Sequence, residues 1–308
     1  TGEILALVST PSYDNNKMIL GVTQEEWNEM SNNEKTPMLA RYLQKYCPGS
    51  TFKAITGAIG LTTNSLSIDD TFNYSGLSWQ KDASWGTYNI TTLTAYNGTK
   101  NLKNALIHSD NIYFAQAALQ IGSKNMTNEL NKLKFNENID FELNLTKSQY
   151  SNNGKIEKET LLADTGYGQG EILVNPVHMA SIYSAFYNEG NMIKPYLEYT
   201  ENKNPSYLVE NAFSKEAAEE IKNDLIQVVE NPEGTAKDMR INGITIAGKT
   251  GTAELKTSKG EKADTIGWFD CFTTSSDNPY LVIGMVEKAN NNGGSHYLIP
   301  MIKKIFTK

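Results

Sequence analysis

The stretch "CPGSTFKAITGAIGL" (residues 47–61) sets the problem that the rest of the chain resolves. Pro48 and Gly49 break whatever precedes them. The run that follows places Phe52, Ile55, Ile59 and Leu61 among small residues, the pattern of a buried helix. Ser50 then falls in the first turn with Lys53 three residues on, and at that spacing two side chains share a helical face, with Cβ atoms about 5–6 Å apart. A lysine buried in such a helix is costly unless it has a partner or a task. Serine near a helix start is also an ordinary cap, so these residues alone do not decide between capping and chemistry.

Two later motifs decide it. "SDN" at Ser109–Asn111 lies between two helical runs, and "KTGT" at Lys249–Thr252 opens or crosses a strand-like run. Alone, the first reads as a turn with a helix cap and the second as a surface lysine before a bend. S-x-x-K, S-D-N and K-T-G in this order, widely spaced, are together the known signature of class A β-lactamases and penicillin-binding proteins, and the chain resembles that group on those residues. The resemblance extends through "TGEILALVSTPSYD", "PGSTFK", "SDNIYFAQAALQIGSK", "LLADTGYGQGEILVNPVHMASIYSA" and "GKTGTAEL", which look like the transpeptidase domain of class B penicillin-binding proteins of the low-affinity, methicillin-resistance-like Gram-positive type. Thr250 departs from that type, which tends to have serine there.

The bulk properties fit. The chain has 308 residues, 39% of them hydrophobic, enough for a sizeable core. A net charge of −7 with no long run of one sign gives no nucleic-acid or polybasic membrane surface. No stretch approaches the roughly 18–20 apolar residues of a membrane span. Opening on "TGEILALVSTPSY", the chain reads as a segment of a longer protein. The resemblance implies the extracellular face of the cell membrane, anchored by an N-terminal helix, with a pedestal domain, both outside these residues.

Coarse patterning gives a strand at Glu3–Ser9 and then helical runs over residues 36–189, among them "TPMLARYLQKY". After Asn191 come a helix at about Ser214–Val229, three strand-like runs ("ITIAGKTGTAEL", "DTIGWFDCFT", "PYLVIGMVEKA") and a closing helical "HYLIPMIKKIF". The expected fold is α/β: a mainly antiparallel sheet flanked by helices (residues 1–35 and 190–308) with an all-helical lobe inserted (36–189), forming one transpeptidase domain of the penicillin-binding and β-lactamase type.

The chemistry assigns roles. A serine hydroxyl needs a base, which Lys53 supplies if neutral; burial and a nearby cation such as Lys249 favour that form. Ser109 relays protons between the lysines and the leaving amine, while Asn111 holds Lys53 and the substrate backbone. The Ser50 amide and, by resemblance, the Thr252 amide form an oxyanion hole. Lys249 with the Thr250 and Thr252 hydroxyls suits a terminal carboxylate, and Gly251 lets a substrate lie along the strand edge. By resemblance the substrate is a peptidoglycan stem peptide ending in D-Ala-D-Ala, β-lactam antibiotics acylate Ser50, and a glycosyltransferase completes a cell-wall synthesis complex. No cofactor is required for the chemistry. Tyr167 and Gln169 lie in a loop that the family places beside the site. Trp79, Trp85, Tyr74 and Tyr88 are either a muropeptide groove or ordinary packing.

Two alternatives and one side question stay open. A β-lactamase needs a deacylating base, for which Glu142 in "FELNL" is the candidate, and a β-lactam sensor needs a membrane-embedded partner domain. Cys47, Cys271 and His108 are free thiols with a capping histidine, or include a Cys47–Cys271 disulfide, or hold a structural zinc with a fourth ligand such as Asp270. Asp270 is awkward in that role, because adjacent strand residues point to opposite faces.

Overall fold

A computed structural model describes residues 1–199, 201, 204–254, 264–275 and 279–307. Thr200, Asn202 and Lys203 of the polar stretch "TENKNPS" and Leu255 at the end of the first strand-like run lie outside them.

The elements follow the patterning closely wherever a buried face exists. Among the described residues the helices are α1 (Asn15–Leu20), α2 (Gln24–Ser31), α3 (Phe52–Thr62), α4 (Leu102–Ile107), α5 (Asn111–Lys132, interrupted at Gly122), α6 (Glu159–Gly166), α7 (Pro176–Tyr187), α8 (Lys215–Glu230) and α9 (Ile299–Phe306). The strands are β1 (Ser78–Trp79), β2 (Ile90–Thr91), β3 (Met192–Ile193), β4 (Tyr207–Val209), β5 (Ile246–Glu254), β6 (Thr265–Thr273) and β7 (Leu281–Val286). The main sheet is antiparallel in the order β5-β6-β7. Helix α8 packs on β5, and Ile302 of α9 reaches the surface of β7 at Gly284.

At the centre lies α3, buried on every side from Phe52 to Gly60. A helix apolar all round belongs inside a core. One continuous cluster joins it to α5, α7, α8 and the sheet, through residues such as Phe114, Tyr183, Leu225 and Phe269.

Two expected elements do not form. Residues 3–9 are not a strand; Glu3 makes a single parallel bridge to Tyr196, and Leu5 and Val8 are 69% and 79% exposed. Alternating apolar residues record what a segment can bury, whereas a strand also needs a partner backbone, and here pairing stops at Tyr196. "TPMLARYLQKY" reduces to one 3₁₀ turn, Arg41–Leu43: the Arg41 side chain pairs with Glu287 (2.6 Å), and the backbone beyond the turn is committed elsewhere, Tyr46 bridging to Val174.

Helix α7 fixes the front of α3. The buried Tyr183 hydroxyl donates to the Thr51 carbonyl oxygen (2.6 Å), the residue between Ser50 and Phe52. Removing that donor strands a buried acceptor, at a cost of about 1–3 kcal/mol. The Tyr183→Phe variant is therefore expected to unfold several degrees lower in a thermal melt; an unchanged melting temperature would show that this contact does not hold the turn.

Candidate active site

Ser50 sits in a short 3₁₀ turn, Gly49–Thr51, that runs directly into α3. The turn is built against two backbones at very close range. Gly49 has φ +54°, its N–H donates to the Gly168 carbonyl oxygen (2.9 Å), and a Cβ placed on it would lie 2.6 Å from the Thr252 carbonyl oxygen. Gly168 has φ +79°, and a Cβ there would lie 2.0 Å from the Gly49 carbonyl oxygen. No side chain fits either position. From the other side, the Trp268 indole N–H donates to the Cys47 carbonyl oxygen (2.9 Å).

Lys53 is the hub. Its Nζ lies 2.9 Å from Ser50 Oγ, 3.1 Å from Ser109 Oγ, 2.6 Å from the Ser109 carbonyl oxygen and 2.7 Å from Asn111 Oδ1. The last two atoms only accept, so they take two amine protons. If the amine is neutral, its lone pair is left facing the serine hydroxyls, which is the arrangement a general base needs.

The S-D-N loop holds this geometry. Ser109 adopts φ +56°, a conformation uncommon outside glycine, and thereby presents both its carbonyl and its hydroxyl to Lys53. Asp110 caps α5 by accepting from the Ile112 and Tyr113 amides, and it accepts the Tyr74 hydroxyl (2.5 Å). Asn111 opens α5, with its Nδ2 tied to the Thr91 carbonyl oxygen (2.8 Å).

Lys249 completes the chain of groups. Its Nζ reaches Ser109 Oγ (2.9 Å) and the Thr250 carbonyl oxygen (3.0 Å), so the Ser109 hydroxyl bridges the two lysines. Both amines are fully buried. Burial, and then the charge of Lys249, push Lys53 well below the ordinary lysine range, while Asp110 opposes them. Burial also lowers Lys249, to about 7, against the charge of Asp270.

Along β5 the Thr250 hydroxyl donates to that of Thr235 (3.0 Å), and the Thr252 hydroxyl lies 3.5 Å from that of Ser295. Gly251 answers a close approach within the fold as well: a Cβ there would lie 2.8 Å from Thr51 Cγ2 and 2.9 Å from the Pro48 carbonyl oxygen. Its bareness lets the strand approach the Ser50 turn. Thr235, Ser295 and Tyr183 carried no motif in the sequence; they border the site only because separate segments fold onto it.

Other candidates have structural partners. The Tyr167 hydroxyl donates to Asp164 (2.5 Å), and the Gln169 Oε1 lies 3.7 Å from Cys47 Sγ. Trp85 packs edge-on against Trp79 and Tyr88 over Ile90, Ile112 and Ala115, and Tyr88 donates to Asp164. Glu142 is exposed and accepts from the Leu197 and Glu198 amides, which occupies it in a surface loop contact.

The zinc reading is overturned. Cys47 donates to the Gly168 carbonyl oxygen (3.1 Å), and its thiol is pushed up to about 11 by burial. Cys271 belongs to the main core, and His108 stacks on Tyr96 and faces Glu233 at 3.7 Å. Among the described residues no three His, Cys, Asp or Glu side chains converge as metal ligands, and both cysteines are free thiols.

Known proteins resemble this chain in sequence and in fold. The family described as penicillin-binding protein transpeptidase domain matches residues 1–307. Penicillin-binding protein 3 of Bacillus subtilis is 41% identical over 307 residues, covering 99% of this chain and 46% of that protein. Peptidoglycan D,D-transpeptidase MrdA of Haemophilus influenzae is 27% identical over 331 residues, covering 98% and 50%. The chain thus spans about half the length of these relatives. In fold it is similar to penicillin-binding protein A from M. tuberculosis, solved as a ceftriaxone acyl-enzyme complex, with a TM-score of 0.83, 22% identity, and coverage of 99% of this chain and 70% of that one. None of these matches singles out a methicillin-resistance-like type. The chain belongs to the transpeptidase-domain family of the class B penicillin-binding proteins.

Proposed function

We propose that this domain is a serine D,D-transpeptidase that cross-links peptidoglycan stem peptides ending in D-Ala-D-Ala. The observation that carries the reading is the fully buried Lys53 amine 2.9 Å from Ser50 Oγ, joined through Ser109 to Lys249. Lys53 takes the Ser50 proton as Oγ attacks the penultimate D-alanine carbonyl. The Ser50 and Thr252 amides hold the tetrahedral oxyanion, with the helix N-terminus adding a favourable dipole. On collapse, the C–N bond breaks and the leaving D-alanine amine receives the proton through Ser109. An amine of a neighbouring stem peptide then attacks the Ser50 ester, passes its proton back along the same hydroxyl, and leaves the cross-link with Ser50 restored.

Lys249, with the Thr250 and Thr252 hydroxyls, receives the terminal carboxylate, while the peptide lies along β5; Tyr167 and Gln169 belong to the loop flanking that path. β-Lactams acylate Ser50 by the same step and hydrolyse slowly. The position of Glu142 on a surface loop supports this reading over a β-lactamase, since its carboxylate is committed to the Leu197 and Glu198 amides. The name peptidoglycan D,D-transpeptidase carried by a relative supports a cell-wall role; an anchor helix holding the domain at the outer face of the membrane and a glycosyltransferase partner belong to the same proposal. Among the described residues no helix is long and apolar enough to cross a membrane.

Intact-mass analysis after incubation with a penicillin is expected to show one drug equivalent on the wild type and none on Ser50→Ala. Lys53→Ala is expected to acylate about 10²–10⁴ times more slowly with an unchanged fold by circular dichroism. Labelling that persists in Ser50→Ala would refute the nucleophile. Lys249→Ala is expected to slow acylation by free-acid penicillins far more than by their methyl esters, because the lost contact is charge-assisted. An equal loss for acid and ester would contradict the carboxylate role.

A further inference from the structure

Directly across the sheet from Lys249, β6 carries Asp270. Residues paired this way in an antiparallel sheet project to the same face, with Cβ atoms about 4.5–5.5 Å apart. Asp270 is fully buried, and neither of its carboxylate oxygens meets a hydrogen-bond donor. Such a group is expensive to bury, and the mechanism above makes no use of it.

The groups around it include one cation. From the Ser50 turn comes Thr51, whose hydroxyl donates to the Pro48 carbonyl oxygen (3.0 Å) and lies beside the Asp270 carboxylate, favouring its charge. From α7 comes Tyr183, whose hydroxyl is committed to the Thr51 carbonyl oxygen. Cys271 is its neighbour on β6, the paired residue on β7 is the apolar Ile283, and Cys47 and Tyr46 pack farther along around Trp268. Lys249 on β5 is the cation facing Asp270, and Lys53 stands behind Lys249, on the far side of the Ser109 hydroxyl.

Resting on the transpeptidase reading above, we propose that Asp270 is a positioning residue that supplies the buried counter-charge holding Lys249 as an ammonium ion, and through it holds Lys53 neutral. The order of charges through the site is then carboxylate, ammonium, serine hydroxyl, neutral amine. Burial acts against charge on Asp270 and on Lys249 alike; at Asp270 it is opposed by the Thr51 hydroxyl and then by the charge of Lys249, and at Lys249 by the charge of Asp270. Without Asp270, burial alone sets Lys249, and its affinity for a substrate carboxylate fades at lower pH.

The test is the ratio of acylation rates for benzylpenicillin and its methyl ester across about pH 6–10, since that ratio reports the Lys249 charge. In Asp270→Asn the midpoint of its fall is expected at least about one pH unit below that of the wild type, close to a tenfold loss of preference for the acid between the two midpoints, with Asp270→Glu restoring it. A merely structural role would lower the melting temperature and leave the midpoint in place. Identical midpoints in folded Asp270→Asn and wild type would overturn the proposal. If the variants do not fold, the wild type still decides: a preference for the acid whose fall has its midpoint at about pH 7 or above supports the counter-charge, and a preference already lost at about pH 6 overturns it. Absence of any adduct on wild-type Ser50 would instead overturn the transpeptidase reading itself.

Discussion

Taking the Lys53 amine out of water is the constraint on which the site depends. A buried ammonium costs several kcal/mol unless it is paired, and the nearest anion, Asp110, is occupied with capping α5 and accepting Tyr74. Two acceptors, the Ser109 carbonyl oxygen and Asn111 Oδ1, satisfy a neutral amine and leave its lone pair toward hydroxyls. Lys249, one hydroxyl away, penalises any return of charge. The same packing that makes the lysine awkward as a cation makes it useful as a base.

Such geometry demands backbones closer than side chains allow. Gly49, Gly168 and Gly251 each stand where a Cβ would strike another segment's backbone or the Thr51 side chain, and together they let β5, the loop after α6 and the Ser50 turn converge. Trp268 and Tyr183 then fasten the turn by its carbonyl oxygens at Cys47 and Thr51. A strained Ser109 at φ +56° persists because α4, α5 and Lys53 determine its position from three sides.

The candidate side chains were legible in the sequence because S-x-x-K, S-D-N and K-T-G each fix their members locally, by helical spacing, by a cap or along one strand. The three β-strand runs were legible as apolar stretches bounded by polar turns, and α8 by its helical period. What escaped depends on pairing across the chain. Nothing local to Glu3–Ser9 says that its partner ends at Tyr196, and nothing near Gly251 says that its bare face meets Pro48 and Thr51. Cys47, His108 and Cys271 suggested a metal by their nearness to the motifs, but the fold gives each a separate environment: a carbonyl, an aromatic face and the main core. Asp270 was noticed for the wrong reason, and only the β5–β6 register shows that it faces Lys249.

The central claim is the charge state of Lys53. Direct titration of the lysine side chains by ¹³Cε NMR, with Lys53→Ala identifying the resonance, tests it without substrate. The account predicts a midpoint well below the ordinary lysine value of 10.5. A resonance that stays in the ammonium position up to about pH 10 would contradict it.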